Sequence, residues 1–206
     1  MLTYIIIGIT VIISFLCFNN HNLFMKLAFI PYRTIKCKEW YRIVSHGFVH
    51  ADIMHLVVNM FTFWPFGLYI EKAFQYLGFG LGSYIALYFG GMITASLHDL
   101  IKRRKDPSFV SIGASGAVSA VLFSFIFFEP WGKILLFAII PIPGIVFGIL
   151  YLAYCQYMEK KAGDNINHNA HFYGAIYGFI FPISIKLSSM IFAFPVVVQE
   201  ISLSPN

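Results

Sequence analysis

Charged residues along this chain fall in clusters and leave long apolar intervals between them. Uncharged runs extend from Met1 to Phe18, Ile53 to Ile70, Ala73 to His98, Ser108 to Phe128, Ile134 to Met158 and Asn165 to Ile185. Crossing about 30 Å of hydrocarbon takes roughly 20 helical residues. The pattern therefore predicts six helices at about 2–18, 52–72, 76–98, 115–128, 134–157 and 168–190. Asp52 stands where it can cap the second helix, and Pro65 is tolerated inside it as a kink. Pro141, Pro143 and Gly144 make the fifth span bend or begin late. Leu187 to Val198, interrupted by Pro195, either extends the sixth helix or lies in the interface. The connection at 19–49 mixes Leu23, Phe24, Met25, Trp40 and Tyr41 with Lys26, Arg33, Lys36, Lys38 and Arg42, as a segment lying in the membrane interface does.

Composition sharpens this picture. The 206 residues are 59% hydrophobic and 11% charged, with a mean hydropathy of +0.76, far from the quarter-charged average of soluble domains. The fold class is all-α, a polytopic membrane protein forming one domain over 1–206, with no room for a separate soluble domain. The first run lacks a basic leader and a small-residue cleavage site, so it reads as the first helix. Cys17, Cys37 and Cys155 are scattered, with neither metal spacing nor a disulfide framework, and read as small apolar fillers. A net charge of +5 suits anionic lipid headgroups. It comes without the aromatic-interleaved basic stripe of nucleic-acid binders, so no partner follows from the charge; the apolar composition makes the bilayer the expected partner, and nucleic acid is not expected.

Chemistry concentrates in three runs. Gly113-Ala114-Ser115-Gly116-Ala117 opens the fourth helix, where free N–H groups and the positive dipole end face any negative charge that develops beside the serine. His171, Gly174 and Gly178 fall at i, i+3 and i+7, on one face of the sixth helix. His50, His55 and Asn59, at offsets of five and four, share a sector of the second. Small residues alone are the usual packing residues of membrane helices; the imidazoles beside them are what suggest chemistry. Connectivity then puts all of these groups at one depth. If the first helix ends on a face A, the second, fourth and sixth all start there. Face A also collects 11 of the 14 basic residues, while Lys72, Lys133 and Lys186 lie elsewhere.

These residues, His50-xxxx-His55-xxx-Asn59, Gly113-x-Ser115-Gly116 and His171-xx-Gly174-xxx-Gly178, in that order and on those helices, resemble the rhomboid family of intramembrane serine proteases. The resemblance implies a six-transmembrane-helix bundle with a Ser-His dyad, no third acid, no cofactor and no metal, opening through a wet cavity on the outer face. Carried over, Ser115 is the nucleophile and His171 the general base. His50 and Asn59, with the backbone N–H of Ser115, form the oxyanion hole. Gly113, Gly116, Gly174 and Gly178 pack the helices, Glu71 is a structural carboxylate, and Arg42 is the arginine of the family's Trp-Arg loop motif, with Tyr41 in the tryptophan's place. Many relatives have a tyrosine four residues after the nucleophile, stacked on the catalytic imidazole; here that position is Ser119. Transmembrane proteins with weakened helices are the implied substrates, admitted past the fifth helix and the loop from Met158 to Asn167.

Two rivals remain. A non-catalytic relative would use the fold to grip transmembrane clients, but such relatives usually lack the serine or the histidine. A metal or haem protein would use His50, His55 and His171 as ligands, but the Gly113-x-Ser115-Gly116 run would then be coincidental. His46, His55 and His168 read as hydrogen-bonding or packing groups. Positive charge on face A predicts that face A is cytoplasmic, the reverse of the family topology. The lack of a targeting extension leads to the expectation of a bacterial inner membrane; the oligomeric state is not expressed in the sequence.

Overall fold

The computed structural model describes residues 1–136, 139–161 and 166–203, with side chains through 187. Its long helices are α1 (Leu2–Phe18), α5 (Ile53–Tyr76), α6 (Gly80–Lys102), α7 (Ser115–Phe128), α8 (Gly144–Lys161) and α9 (His168–Leu203). Between α1 and α5 the segment expected to lie in the membrane interface is not an open loop. It folds into α2 (His21–Leu27), α3 (Pro31–Lys36), α4 (Arg42–Ser45) and a 3₁₀ turn over His46–Phe48. Asn20 caps α2 by accepting from Leu23 N–H at 3.0 Å, and Pro31 starts α3 at the first position, where its missing N–H costs nothing. Asp52 caps α5 through His55 N–H at 2.7 Å.

The region from residue 134 differs from the helix expected there. Lys133–Leu136 and Ile140–Pro143 pair as an antiparallel hairpin, β1 and β2, and α8 begins only at Gly144. Pro141 and Pro143 lack the N–H groups a helix would need, so the chain turns back on itself first. Among the described helices, α5 and α6 are long and apolar enough to cross a membrane, and α1 and α7 are apolar but shorter.

The bundle is built around α7, which is buried along nearly its whole length and packs against α5, α6, α8 and α9. Its neighbours come close because both sides of the seam are small. A methyl group added at Gly174 would overlap the Gly116 backbone, one at Gly178 the Ala120 backbone, and one at Gly116 the Ala95 side chain. With no side chain between them, the backbones approach to contact and gain dispersion energy along the seam.

Glu71 ties the far end together. From α5 its carboxylate accepts from Leu2 N–H at 2.7 Å and from the Thr3 N–H and hydroxyl at 3.0 and 2.7 Å. It thus satisfies first-turn donors of α1 that would otherwise be orphaned, and Thr3 Oγ1 lies 2.8 Å from the Tyr84 hydroxyl of α6.

Candidate active site

Ser115 is the first residue of α7, preceded by a non-helical approach that is fixed at three points. Ser111 and Phe29 exchange backbone hydrogen bonds at 2.9 Å, Gly113 N–H donates to His46 O at 3.0 Å, and Ala114 N–H lies 3.4 Å from His50 Nε2. Gly113 has φ +105, in the left-handed region, and a Cβ there would press on the His55 ring. Glycine is required on both counts.

His171 lies in the first turn of α9, whose start is anchored by Asn167. Its Oδ1 accepts from Ala170 N–H at 3.0 Å, while its Nδ2 donates to Asp99 Oδ2 of α6 at 2.5 Å and to Ser111 Oγ at 3.1 Å. One amide therefore caps α9 and joins it both to α6 and to the strand of chain leading to Ser115. Ser115 and His171, both half-buried, open onto one cavity of about 1370 Å3, which Asn59 and Ser119 also line.

The predicted oxyanion pair is split. Asn59 reaches the cavity from α5, its Nδ2 donating to His55 O at 2.9 Å. His50 precedes α5 instead of sharing its face, because the helix starts only after the Asp52 cap. It is fully buried behind the Gly113–Ala114 backbone, with Nδ1 3.0 Å from Ser14 Oγ, whose hydroxyl donates to Phe48 O at 2.9 Å. An accepting Nε2 toward Ala114 is consistent with a donating Nδ1 toward Ser14. His55 lines the cavity and packs edge-on against His50, ring centroids 4.9 Å apart.

Arg42 is buried in the interfacial segment. It donates to Met25 O at 2.7 Å, Ala28 O at 2.6 Å and Glu39 at 2.5 Å, and Arg33 makes a two-point contact with the same carboxylate at 2.9 and 2.7 Å. Two guanidinium groups hold the Glu39 carboxyl down at about 2. Tyr41 bonds from its hydroxyl to Lys26 O at 3.2 Å. His46 bonds through Nδ1 to Arg42 O at 2.9 Å.

Three groups escaped sequence reasoning. Tyr151, on α8, lies parallel to the His171 ring at 6.3 Å and 9°, and its hydroxyl is 2.7 Å from Ser119 Oγ. The position where many relatives carry the stacking tyrosine thus holds a serine that contacts a tyrosine supplied by another helix. One of 12 tyrosines in an aromatic-rich chain gives no signal of this. Cys155, expected as an apolar filler, has its sulfur grouped with ring nitrogens of His168 and His171, all within 4.8 Å. Among the described residues these are the donors that converge, in place of the His50, His55 and His171 set. Asn167 was detectable in principle, since an asparagine directly before a helical run is a cap signal.

Comparison with known proteins agrees with this architecture. The rhomboid domain model matches residues 37–187. RHOMBOID-like protein 12, mitochondrial, of Arabidopsis thaliana is 29% identical over 169 residues, 76% of this chain and 49% of that protein. Rhomboid protein 1, mitochondrial, of Saccharomyces cerevisiae is 33% identical over 105 residues, 50% of this chain and 29% of that protein. Rhomboid protease GluP of Bacillus subtilis is 26% identical over 141 residues, 68% of this chain and 25% of that protein. The matched segments thus cover half or less of each relative's length. A match over most of the chain, on a membrane helical bundle with these motifs in order, leads to one conclusion: the chain belongs to the rhomboid family.

Proposed function

We propose that this protein is an intramembrane serine endopeptidase that hydrolyses peptide bonds in or beside transmembrane helices. The observation that carries the reading is the shared cavity: Ser115 from α7 and His171 from α9 open onto the same space, on helices held in backbone contact at Gly116–Gly174 and Ala120–Gly178. The relative named a rhomboid protease supports the same chemistry.

The hydroxyl of Ser115 is a weak nucleophile until a neutral imidazole takes its proton during attack. His171 serves as that base and returns the proton to the departing amine. Negative charge then builds on the former carbonyl oxygen, where the first free N–H groups of α7, the Ser115 N–H among them, and Asn59 Nδ2 supply donors. Placed behind the Ala114 backbone, His50 supports this hole by shaping the approach to Ser115. Losing one such donor typically costs about 10²- to 10³-fold in turnover.

Depth fits the proposal. With each of the six long helices taken as one crossing, α7 has 14 residues, which is about 21 Å against roughly 30 Å of hydrocarbon. Its serine end therefore stops below one surface, and the chain from Ser108 to Ala114 covers the difference. Water reaches that level through the cavity. Substrates are transmembrane proteins whose helices open locally, entering between α5 and α8; the cavity wall carries Val58 from one and Tyr151 from the other.

Relatives named mitochondrial stand against the expected bacterial inner membrane, and the assignment kept is an integral membrane protein. Ser115→Ala and His171→Ala are each expected to abolish cleavage of a model transmembrane substrate by purified protein while leaving its thermal unfolding unchanged. Full activity in either variant removes the dyad.

A further inference from the structure

We propose that Cys155, His168 and His171 form a binding site for one Zn2+ or a similarly thiol-seeking divalent ion. Bound there, the ion ties α8 to α9 and withdraws the base from catalysis. The regulatory half rests on the role given to His171 above; the binding half does not.

The donor set argues for the ion class. One thiol and two imidazoles are the ligands of zinc and its neighbours, and unlike carboxylate clusters they do not suit magnesium or calcium. All three donor atoms lie within 4.8 Å of one another. Zn–S and Zn–N bonds of about 2.3 and 2.0–2.1 Å put tetrahedral ligands roughly 3.5 Å apart, so the widest gap has to close by about 1 Å. Side-chain rotation supplies that much. His168 and His171 are at i and i+3, successive positions on one face of α9, with ring centroids 6.1 Å apart. Both line the cavity, which gives an ion its way in, while Cys155 is buried behind them.

Binding converts the Cys155 thiol to a thiolate and releases its proton to solvent, so affinity rises with pH. Three protein ligands leave a coordination position open, as befits a site that fills and empties. Occupancy has two consequences. His171 donates its lone pair to the metal and can no longer accept the Ser115 proton. Cys155 is held to α9, so α8 cannot swing away from the cavity it borders.

Cobalt reports thiolate ligation through a near-ultraviolet charge-transfer band. Detergent-purified protein, reduced with a phosphine in place of a thiol, is titrated with Co2+. One equivalent producing the band is expected, with the band lost in Cys155→Ser and affinity lowered at least about 100-fold in His168→Ala, since outer-shell changes alone cost 10–100-fold. Absence of the band in the unaltered protein overturns the proposal.

The second measurement is the ratio of cleavage with and without Zn2+ within each variant. The unaltered protein is expected to lose at least about tenfold at a Zn2+ concentration that leaves Cys155→Ser within twofold. Equal inhibition of both overturns the regulatory site. A cobalt band in a protein that cleaves nothing would overturn the hydrolase reading and leave the metal site standing.

Discussion

In the proposed mechanism His171 presents one nitrogen to Ser115 repeatedly, and a ring on a helix needs something to stop it turning. Tyr151 lies parallel to it, ring centroids 6.3 Å apart, and is held in turn by Ser119. An aromatic pair of this kind is worth about 0.5–1.5 kcal/mol, which is about 2- to 10-fold in rate. Tyr151→Ala is expected to lower kcat by that factor with KM little changed, whereas Tyr151→Phe keeps the ring and most of the rate. A larger change in KM than in kcat would mark Tyr151 as a substrate contact instead. The Arg42–Glu39–Arg33 cluster makes a separate prediction. Glu39 has its carboxyl lowered from 4.5 to about 2 by Arg33 and Arg42. A lowered acid stabilises the fold above its unfolded value and loses that contribution as pH falls through the folded one. Thermal stability should therefore decline between about pH 4.5 and 2, and Glu39→Gln should remove that component of the decline. An identical pH profile in the variant would show the cluster to be energetically idle.

At the scale of elements, the bundle depends on how closely α7 and α9 approach. Gly174→Ala adds a methyl where the Gly116 backbone already lies, so the helices must part, at about 1–3 kcal/mol for an overpacked site. Lower thermal stability together with lost cleavage is expected. Gly82 on α6 is the control, since nothing lies within 4 Å of a Cβ there; Gly82→Ala should be neutral or slightly stabilising, because alanine favours helix by up to about 1 kcal/mol. Equal behaviour of the two variants would mean that the seam is not close-packed. The two positions look alike in sequence, as glycines in apolar helical runs. They part company only when a neighbouring helix is present to be touched.

For the whole molecule, the six crossings proposed above would put the segment between α1 and α5 and the C-terminus on opposite sides of the bilayer. Cys37 is exposed on that segment, and Cys17 and Cys155 are buried. A membrane-impermeant maleimide is expected to label Cys37 from one side only, with a C-terminal tag accessible to protease from the other. Labelling and tag digestion from the same side would require an odd number of crossings. The same experiment fixes whether the basic face is the cytoplasmic one, as its concentration of lysine and arginine implies.

Much of this was determined by the order of amino acids alone. Apolar run lengths set the helices, because hydrocarbon tolerates no unpaired backbone, and the fourth was expected to open at about Ser115, where α7 begins. Ser115, Asn59 and His171 stood out because such side chains are costly in apolar runs. The hairpin after α7, the folding of the interfacial segment into short helices, the retreat of His50 behind Ala114, and the meeting of Tyr151 and Cys155 with His171 were decided by tertiary structure. Each depends on which helix lies opposite which, and a tyrosine or cysteine on an apolar helix face has the same local pattern whatever it meets. Periodicity records the face a residue occupies, and only packing supplies its partner.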